Sequence, residues 1–344
     1  MSGGVDSSVT AYLLKKQGYR VQGVFLKLKF PDCSLQNWRE AEGRAYLSAK
    51  TLGIPIMTLD ASRDFKEKVW KPFWSQFKKG LTPNPCPICN PNIKFGVLFD
   101  KIRTLGYDYL ATGHYARLTK NKGYWTLRRG KDKTKDQSYF LYRLNPKIFP
   151  YLKFPLGECL KKDIKRMAQK IFPTRLYRVK ESQGICFAAG QDFRELTKAH
   201  LPVKKCNIVD TRGKIIGQHK GIWFYTEGQR TGIGNFDKSG LPAFIAKKLP
   251  RANKLVVTHN PKDLSLNRNK LVIGNINWFI SPRREFSTKV QIRYGSTPVP
   301  AKIKLIFTNK AKITLAKPQR AVTPGQSAVF YHGERVLGGG EIEE

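Results

Sequence analysis

Apolar residues keep two different rhythms in this chain, and the change near residue 205 constrains its fold more than any other feature. Up to about residue 200, segments of helical period alternate with short apolar runs. Val9, Tyr12 and Leu13 share a helical face that stops at Gly18, and VQGVFLKL (21 to 28) follows as a buried strand. A second helix passes through Ala41, Ala45 and Leu52 to Gly53, ahead of the strand IPIMTLD (54 to 60). Phe65, Val69, Phe73 and Phe77 recur every four residues on a third helix, where Pro72 predicts a kink. A fourth places Phe95, Leu98, Phe99, Ile102 and Leu105 on one side before Gly106, and DYLAT (108 to 112) reads as the next strand. Such alternation implies an α/β domain whose doubly wound parallel sheet is covered on both faces.

Past residue 205 the runs are short, alternating and punctuated by Gly, Asn, Asp or Pro. NIVDTRGKIIGQH (207 to 219), KLVVTHNPKD (254 to 263), KLVIGNINWF (270 to 279), KVQIRY (289 to 294), AKIKLIF (301 to 307), KITLA (312 to 316) and SAVFYHGERVLGGG (327 to 340) all read as strands. The expected division is an α/β domain over 1–204, a small central β domain over 205–269 and a second β domain over 270–344.

A chain of 344 residues is long enough for two or three cores, and 40% hydrophobic with 12% aromatic residues excludes a disordered polybasic chain. No stretch approaches the roughly 20 apolar residues that span a bilayer, and no leader-like pattern opens the sequence, so a soluble cytoplasmic protein is expected. Six cysteines (Cys33, Cys86, Cys89, Cys159, Cys186, Cys206) are too sparse for a disulfide scaffold and read as reduced thiols.

Charge narrows the partners: 63 Lys and Arg against 25 Asp and Glu leave a formal +38. The excess gathers between Arg117 and Lys135 and between Lys161 and Lys180, each stretch holding eight basic residues and one acid. Two clusters of this kind imply a surface for a polyanion, such as a nucleic acid held through its phosphates.

Chemistry starts at SGGVDSS (2 to 8). Gly3 and Gly4 allow close backbone approach, Ser2, Ser7 and Ser8 supply hydroxyls, and the helix behind them turns its amides toward the loop. Ser2 to Ser8, with Val5 and Asp6 included, form a cradle for a pyrophosphate. In TPNPCPICN (82 to 90), Cys86 and Cys89 admit three readings: half a zinc site, a redox pair or a nucleophile loop. Zinc needs two further ligands, yet there is no second C-x-x-C and the five histidines are scattered.

S-G-G-x-D-S resembles the loop of enzymes that cleave ATP between the α and β phosphates, an adenine nucleotide alpha hydrolase-like fold. Such loops follow a first strand. Here the motif begins at residue 2, which implies that the start has been placed late and that the strand belongs upstream.

TPNPCPICNPNIKFG, DYLATGHYAR, KDQSYFLYRL, SQGICF, GQHKGIWFYTEGQRTGIG and AVTPGQSAVFY together resemble, in order and spacing, the tRNA-specific 2-thiouridylases. The resemblance implies a sulfurtransferase that uses ATP and Mg2+ to thiolate the wobble uridine of tRNA, taking sulfur from a persulfide donor or relay protein. It implies that the last domain is a β-barrel touching tRNA. Carried over by motif, Cys89 is the nucleophile and Cys186 bears the persulfide. Leu26 and Gly113 join residues 2–8 around ATP. Asn84, Pro85, Cys86, His114, Lys135, Asp136, Gln137, Arg293, Tyr294 and Gln326 face the target base or the tRNA.

Two departures stand out. Cys86 replaces an Asp found in some members and brings three cysteines to one expected site, which raises the alternative of an iron–sulfur cluster on Cys86, Cys89 and Cys186. Glu227 stands where an apolar residue is usual. Two rival readings are another ATP-pyrophosphatase-loop enzyme, such as a lysidine synthetase, and a non-catalytic RNA-binding protein. The former has no use for Cys89 and Cys186, and the latter none for the ATP loop.

Overall fold

A computed structural model describes residues 1–29, 35–178, 184–188, 193–230 and 242–343, with the side chains of 35–37 and 188 excepted. Cys33, Ser182 and Gln183 lie outside the described residues, as does the end of the GQHKG motif from residue 231. The chain gathers into two units, one of Met1–Lys71, Pro85–Gly190 and His332–Leu337, the other of Pro72–Asn84, Gln191–Tyr331 and Gly338–Glu344.

In the first unit, α1 (Val5–Lys16), β1 (Gly23–Lys27), α2 (Leu35–Leu52) and β2 (Ile56–Asp60) follow in the expected order. The strands pair in parallel from Gly23 opposite Ile56 to Lys27 opposite Asp60. α3 (Ser62–Phe65) runs through a π-helical segment, Lys66–Trp70, into α4 (Lys71–Lys78), which from Pro72 on is counted with the second unit. The wider π turn directly precedes Pro72, so the residue with no N–H to give falls where the helical pitch changes.

After α5 (Cys86–Cys89) a second π-helical stretch, Asn90–Val97, leads into α6 (Leu98–Thr104). Phe95, Leu98, Phe99 and Ile102 are buried as their spacing implies, but Leu105 is exposed because the helix has already ended.

The strand expected over 108–112 contracts to β3 (Leu110–Ala111). It is followed by an antiparallel hairpin, β4 (Ala116–Asn121) and β5 (Tyr124–Arg129), inside the first basic cluster. Lys122 and Gly123 both take positive φ at the tip, as a two-residue hairpin turn requires. β6 (Leu152–Lys153) pairs in parallel with β3. α7 (Lys161–Ile171) and α8 (Thr174–Tyr177) then join α1 around a core of Val9, Ala11, Tyr115, Leu156, Ile164 and Ala168.

In the second unit α9 (Phe193–His200) precedes a four-stranded sheet ordered β8 (Ile215–His219), β7 (Cys206–Val209), β10 (Lys254–Thr258) and β9 (Phe244–Leu249). Ile208, Ile222, Ile245, Leu255 and Val257 form its core.

Six further strands close a barrel: β11 (Asn267–Trp278), β12 (Glu285–Gln291), β13 (Val299–Phe307), β14 (Lys310–Arg320), β15 (Ser327–His332) and β16 (Arg335–Ile342). Their order is β11-β14-β13-β12-β15-β16, and β16 returns to β11. Closure rests on glycine: a Cβ on Gly338 would lie 2.3 Å from the Asn277 carbonyl oxygen, and one on Gly340 2.7 Å from that of Gly274. The strand expected over 289–294 ends at Gln291, so Arg293 and Tyr294 sit in an exposed turn.

Candidate active site

The first helix opens as an anion site would. Gly4 stands at its N-cap with no side chain to bond the first-turn amides, leaving them directed at the loop. Gly3 has φ +72°, and a Cβ there would lie 2.3 Å from the Ala41 carbonyl oxygen, so the turn tolerates glycine alone. Ser7 and Ser8 donate their hydroxyls to the Gly4 carbonyl at 2.9 and 3.1 Å, and the Ser2 amide donates to Ser7 Oγ at 3.1 Å. These bonds tie the loop to the first turn of the helix.

Asp6 is fixed from two directions. Lys161, the first residue of α7, donates to both its oxygens at 2.7 and 2.8 Å, and the Tyr115 hydroxyl donates at 2.8 Å. Lys161 had been expected on a basic surface; it is buried instead, with its ammonium 5.6 Å from the centre of the Tyr115 ring. Gly113 lies against the same aspartate, where a Cβ would come 3.1 Å from the Asp6 carbonyl carbon. Val5 and Leu26 are half-buried, Leu26 in β1 opposite Leu59.

A second group of residues surrounds the thiols. Pro85 caps the single turn α5, where its carbonyl accepts from the amides of Ile88 at 3.1 Å and Cys89 at 2.7 Å. The π-helical stretch that follows is locked by Asn90, whose side-chain amide donates to the Phe140 carbonyl at 3.0 Å, and by Asn92, which donates to that of Ile88 at 2.8 Å. Cys186 begins a one-turn helix, and the next residue, Phe187, anchors it by edge contacts with Trp70 at 5.2 Å and Phe65 at 5.9 Å.

The fold brings Cys86, Cys89 and Cys186 into one electrostatic neighbourhood, 97 residues of chain separating the last two. Burial foremost, with a smaller contribution from charge on Cys186, pushes the Cys86 thiol up to about 11 and that of Cys89 up to about 12. Cys186 itself is exposed as a residue, while desolvation of its sulfur is the largest cause holding its thiol above the ordinary value.

Lys94 opposes these effects at all three thiols and helps to depress His114, so its charge acts on the whole group. Nothing in the sequence alone singles it out. Its cue is a spacing of five residues after Cys89, which reads as one turn only when the segment is π-helical.

His114 is buried between the rings of Phe95 and Phe154 at 5.7 and 5.9 Å, with Nδ1 2.8 Å from Thr112 Oγ1. Burial, then Lys94, holds its imidazole well below the usual range, so it is neutral. Among the described residues no three His, Cys, Asp or Glu side chains are grouped to hold a metal ion, and this covers the three cysteines.

The other residues assigned to RNA are placed unevenly. Asp136 is buried and its oxygens are taken by Arg129 Nε at 2.6 Å and by the amides of Gly130 and Ser138 at 3.0 and 3.1 Å. Gln137 accepts from the Tyr115 amide at 3.1 Å, and Lys135 beside it is half-buried. Gln326 donates to the Thr82 carbonyl at 2.7 Å, two residues before Asn84. The first basic cluster is partly neutralised within its own unit: Glu334 accepts from Arg117 and from Lys133.

Glu227 is buried with polar partners. It accepts from the Lys248 amide at 3.2 Å and lies 3.8 Å from the Arg268 guanidinium, while burial raises its carboxyl.

Comparison with known proteins places this geometry. Family models described as the tRNA methyl transferase HUP domain, the tRNA methyl transferase PRC-barrel domain and the aminomethyltransferase beta-barrel domain match residues 1–190, 194–259 and 268–342. A tRNA-specific 2-thiouridylase MnmA from Carboxydothermus hydrogenoformans is 39% identical over 100% of this chain and 96% of its own length. The proteins of the same name from Idiomarina loihiensis and Vesicomyosocius okutanii are 36% and 40% identical, covering 95% and 96% of theirs.

Among solved structures, a predicted subunit of tRNA methyltransferase from Methanocaldococcus jannaschii matches 58% of this chain and 84% of that one at 20% identity. Its TM-score is 0.35, too low to bear on function. The full-length relatives decide the matter: this chain belongs to the family of the tRNA-specific 2-thiouridylases.

Proposed function

We infer that this chain is a tRNA sulfurtransferase that replaces the 2-carbonyl oxygen of the wobble uridine with sulfur at the expense of ATP. The observation that carries the reading is one unit that holds both an uncapped pyrophosphate loop and a cysteine pair placed 97 residues apart in sequence. A methyl transfer, which the family model's description would suggest, needs neither. The three-part division at 1–204, 205–269 and 270–344 and a cytoplasmic location beside tRNA go with this reading.

Residues 2–8 fit ATP: the amides behind Gly4 meet phosphate oxygens, Gly3 supplies the turn, and Leu26 and Gly113 border the nucleotide. When bound, ATP supplies the adenylyl group that turns the uridine oxygen into a leaving group. Asp6 has its oxygens engaged by Lys161 and Tyr115, so Mg2+ enters with the phosphates more readily than through this carboxylate.

Sulfur arrives as a persulfide on Cys186, delivered by a donor or relay protein. The terminal sulfur bonds to C2. The thiolate of Cys89 then attacks Cys186 Sγ, forming a disulfide and leaving the electron pair on the transferred sulfur, which expels AMP. A reductant resets the pair. Lys94 favours thiolate at each step, and Cys89, being buried, is kept from solvent until needed. The unpaired anticodon loop lets the base be turned into the site at low cost. Asn84, Pro85, Cys86 and His114 border it, while Lys135, Gln137, Arg293, Tyr294 and Gln326 support the RNA.

The test is to incubate protein, ATP, a persulfide donor and unmodified tRNA, and to look for 2-thiouridine by nucleoside mass spectrometry. Product from the wild type and none from Cys89→Ala or Cys186→Ala is expected. Retained activity in either variant sinks that residue's role, and absence of product from the wild type sinks the reading. Iron and sulfide analysis of anaerobically purified protein is expected to find neither; both together would favour a cluster on the three cysteines.

A further inference from the structure

The outer face of the barrel carries a lysine ladder that nothing in the chemistry above uses. Cross-strand register sets Lys304 of β13 directly opposite Lys312 of β14, and Lys312 opposite Val272 of β11. One row along, Lys302 faces Thr314, which in turn faces Lys270. All four lysines are exposed, while their neighbours Leu271, Ile303 and Ile313 point inward and are buried.

Glu285 is the one acid among them, paired with Lys304 at 2.7 Å. Lys270, Lys302 and Lys312 have no carboxylate partner among the described residues. Like charges directly opposite on a sheet destabilise it, so the ladder is a cost to the barrel in isolation.

The lysines rim a groove of about 700 Å³ floored by Val272, Ser287 and Thr314, all short side chains. Strand spacing puts Lys304 and Lys312 about 5 Å apart at Cβ, Lys302 and Lys304 roughly 7 Å apart, and Lys270 and Lys302 about 10 Å apart across two strands. A single small anion cannot engage charges spread so widely, whereas consecutive phosphates of a polynucleotide can.

We propose that this groove binds the phosphodiester backbone of the tRNA substrate, as a sequence-independent positioning surface on the back of β11, β12, β13 and β14. It is separate from the exposed turn that carries Arg293 and Tyr294. The proposal rests on the reading of the protein as a tRNA sulfurtransferase for the identity of its RNA, but not for the charge pattern itself. Contacts here add affinity and a steep salt dependence without choosing a base.

The experiment compares the salt dependence of tRNA binding for the full chain and for Lys270→Gln/Lys302→Gln/Lys304→Gln/Lys312→Gln. A control removes four exposed lysines elsewhere, Lys16, Lys50, Lys101 and Lys262, so that the loss of net charge is matched. The ladder variant is expected to lower the slope of log Kd against log salt by about two to three and to weaken binding at least tenfold near physiological salt. The control is expected to change the slope by less than one.

Thiolation of a minimal anticodon stem-loop should stay near the wild-type rate. Equal slopes for the two quadruple variants would overturn the proposal, provided circular dichroism shows both folded. So would a ladder-dependent loss of binding to vesicles of zwitterionic and anionic lipid with no change in the tRNA slope. Wild-type protein that binds tRNA but forms no 2-thiouridine would defeat the sulfurtransferase reading alone, since the slope is read from binding.

Discussion

Lys161 reaches 155 residues back along the chain to place its ammonium 2.7 and 2.8 Å from the two carboxylate oxygens of Asp6. Their environments differ: the lysine side chain is 9% exposed and the aspartate 37%. Removing the buried partner leaves a half-desolvated carboxylate beside the phosphate site. Lys161→Met is therefore expected to destabilise the first unit by about 1–3 kcal/mol, below the range for a fully buried pair because Asp6 remains partly hydrated. ATP affinity should fall as well, from repulsion between the uncompensated carboxylate and phosphate. Thermal unfolding and calorimetric titration with ATP check both, and an unchanged ATP affinity would separate Asp6 from the nucleotide.

Gly3→Ala meets two obstacles. The left-handed φ costs about 1–2 kcal/mol for any residue with a Cβ, and that Cβ lies 2.3 Å from the Ala41 carbonyl oxygen, a backbone atom that moves only with α2. Overpacking of this kind adds roughly 1–3 kcal/mol. Urea unfolding should show a lower midpoint, with ATP binding lost even where the variant stays folded. Gly4→Ala has open space around its Cβ, the nearest atom being Ser2 Oγ at 3.5 Å, and should be far milder.

Alkylation of Cys89 should track its raised pKa. Because burial favours the neutral thiol, the thiolate forms only as pH rises toward about 12. At pH 7 the reactive fraction is on the order of one in 10⁵. Iodoacetamide labelling, followed site by site by mass spectrometry, should accelerate about tenfold per pH unit up to pH 10 with no plateau. Lys94→Gln should slow it at every pH. A plateau near pH 8.5 would show that Cys89 is not buried in solution.

Acid should loosen the ion network around Glu334. A hydrogen bond from Lys133, then one from Arg117, holds its carboxyl down to about 2 from 4.5. A group depressed in the folded state stabilises fully above its unfolded value, and that stabilisation fades as pH falls from about 4.5 toward 2. Glu334→Gln should thus be less stable than wild type at pH 7 and lose less stability between pH 4.5 and 2. The margin should be small, since the side chain is 38% exposed. Denaturant titrations at three pH values measure it.

What the sequence disclosed, and what it hid, follows from how local each signal is. The order of helices and strands through Leu52 and Ile56 was legible because each element announces itself by its own apolar period. The hairpin 116–129 was not, since Arg117, Lys120, Arg128 and Arg129 gave its strands the look of a charged surface. Glu334 and Asp136, the partners of the three arginines, are what make those charges tolerable in a sheet. Cys89 and Cys186 were legible as motif residues, whereas Lys94 and Lys161 were not: each matters through a neighbour supplied by the fold. Asp136 shows the converse, a motif residue whose carboxylate is spent on the loop around it.

Glu334 and Arg335 also bear on how the chain is made. Glu334 meets Arg117 across 217 residues, and Arg335 pairs with Arg128, so the first unit takes its last pieces from residues 332–337. A ribosome adding about 5–20 residues per second needs on the order of 10 to 40 s to travel that distance. For that interval the Arg128–Arg129 end of β5 waits on a nascent chain without its partner, a template for stray strands. The arginines and lysines crowding the hairpin then act as its guard, repelling other copies until the strand that completes it emerges.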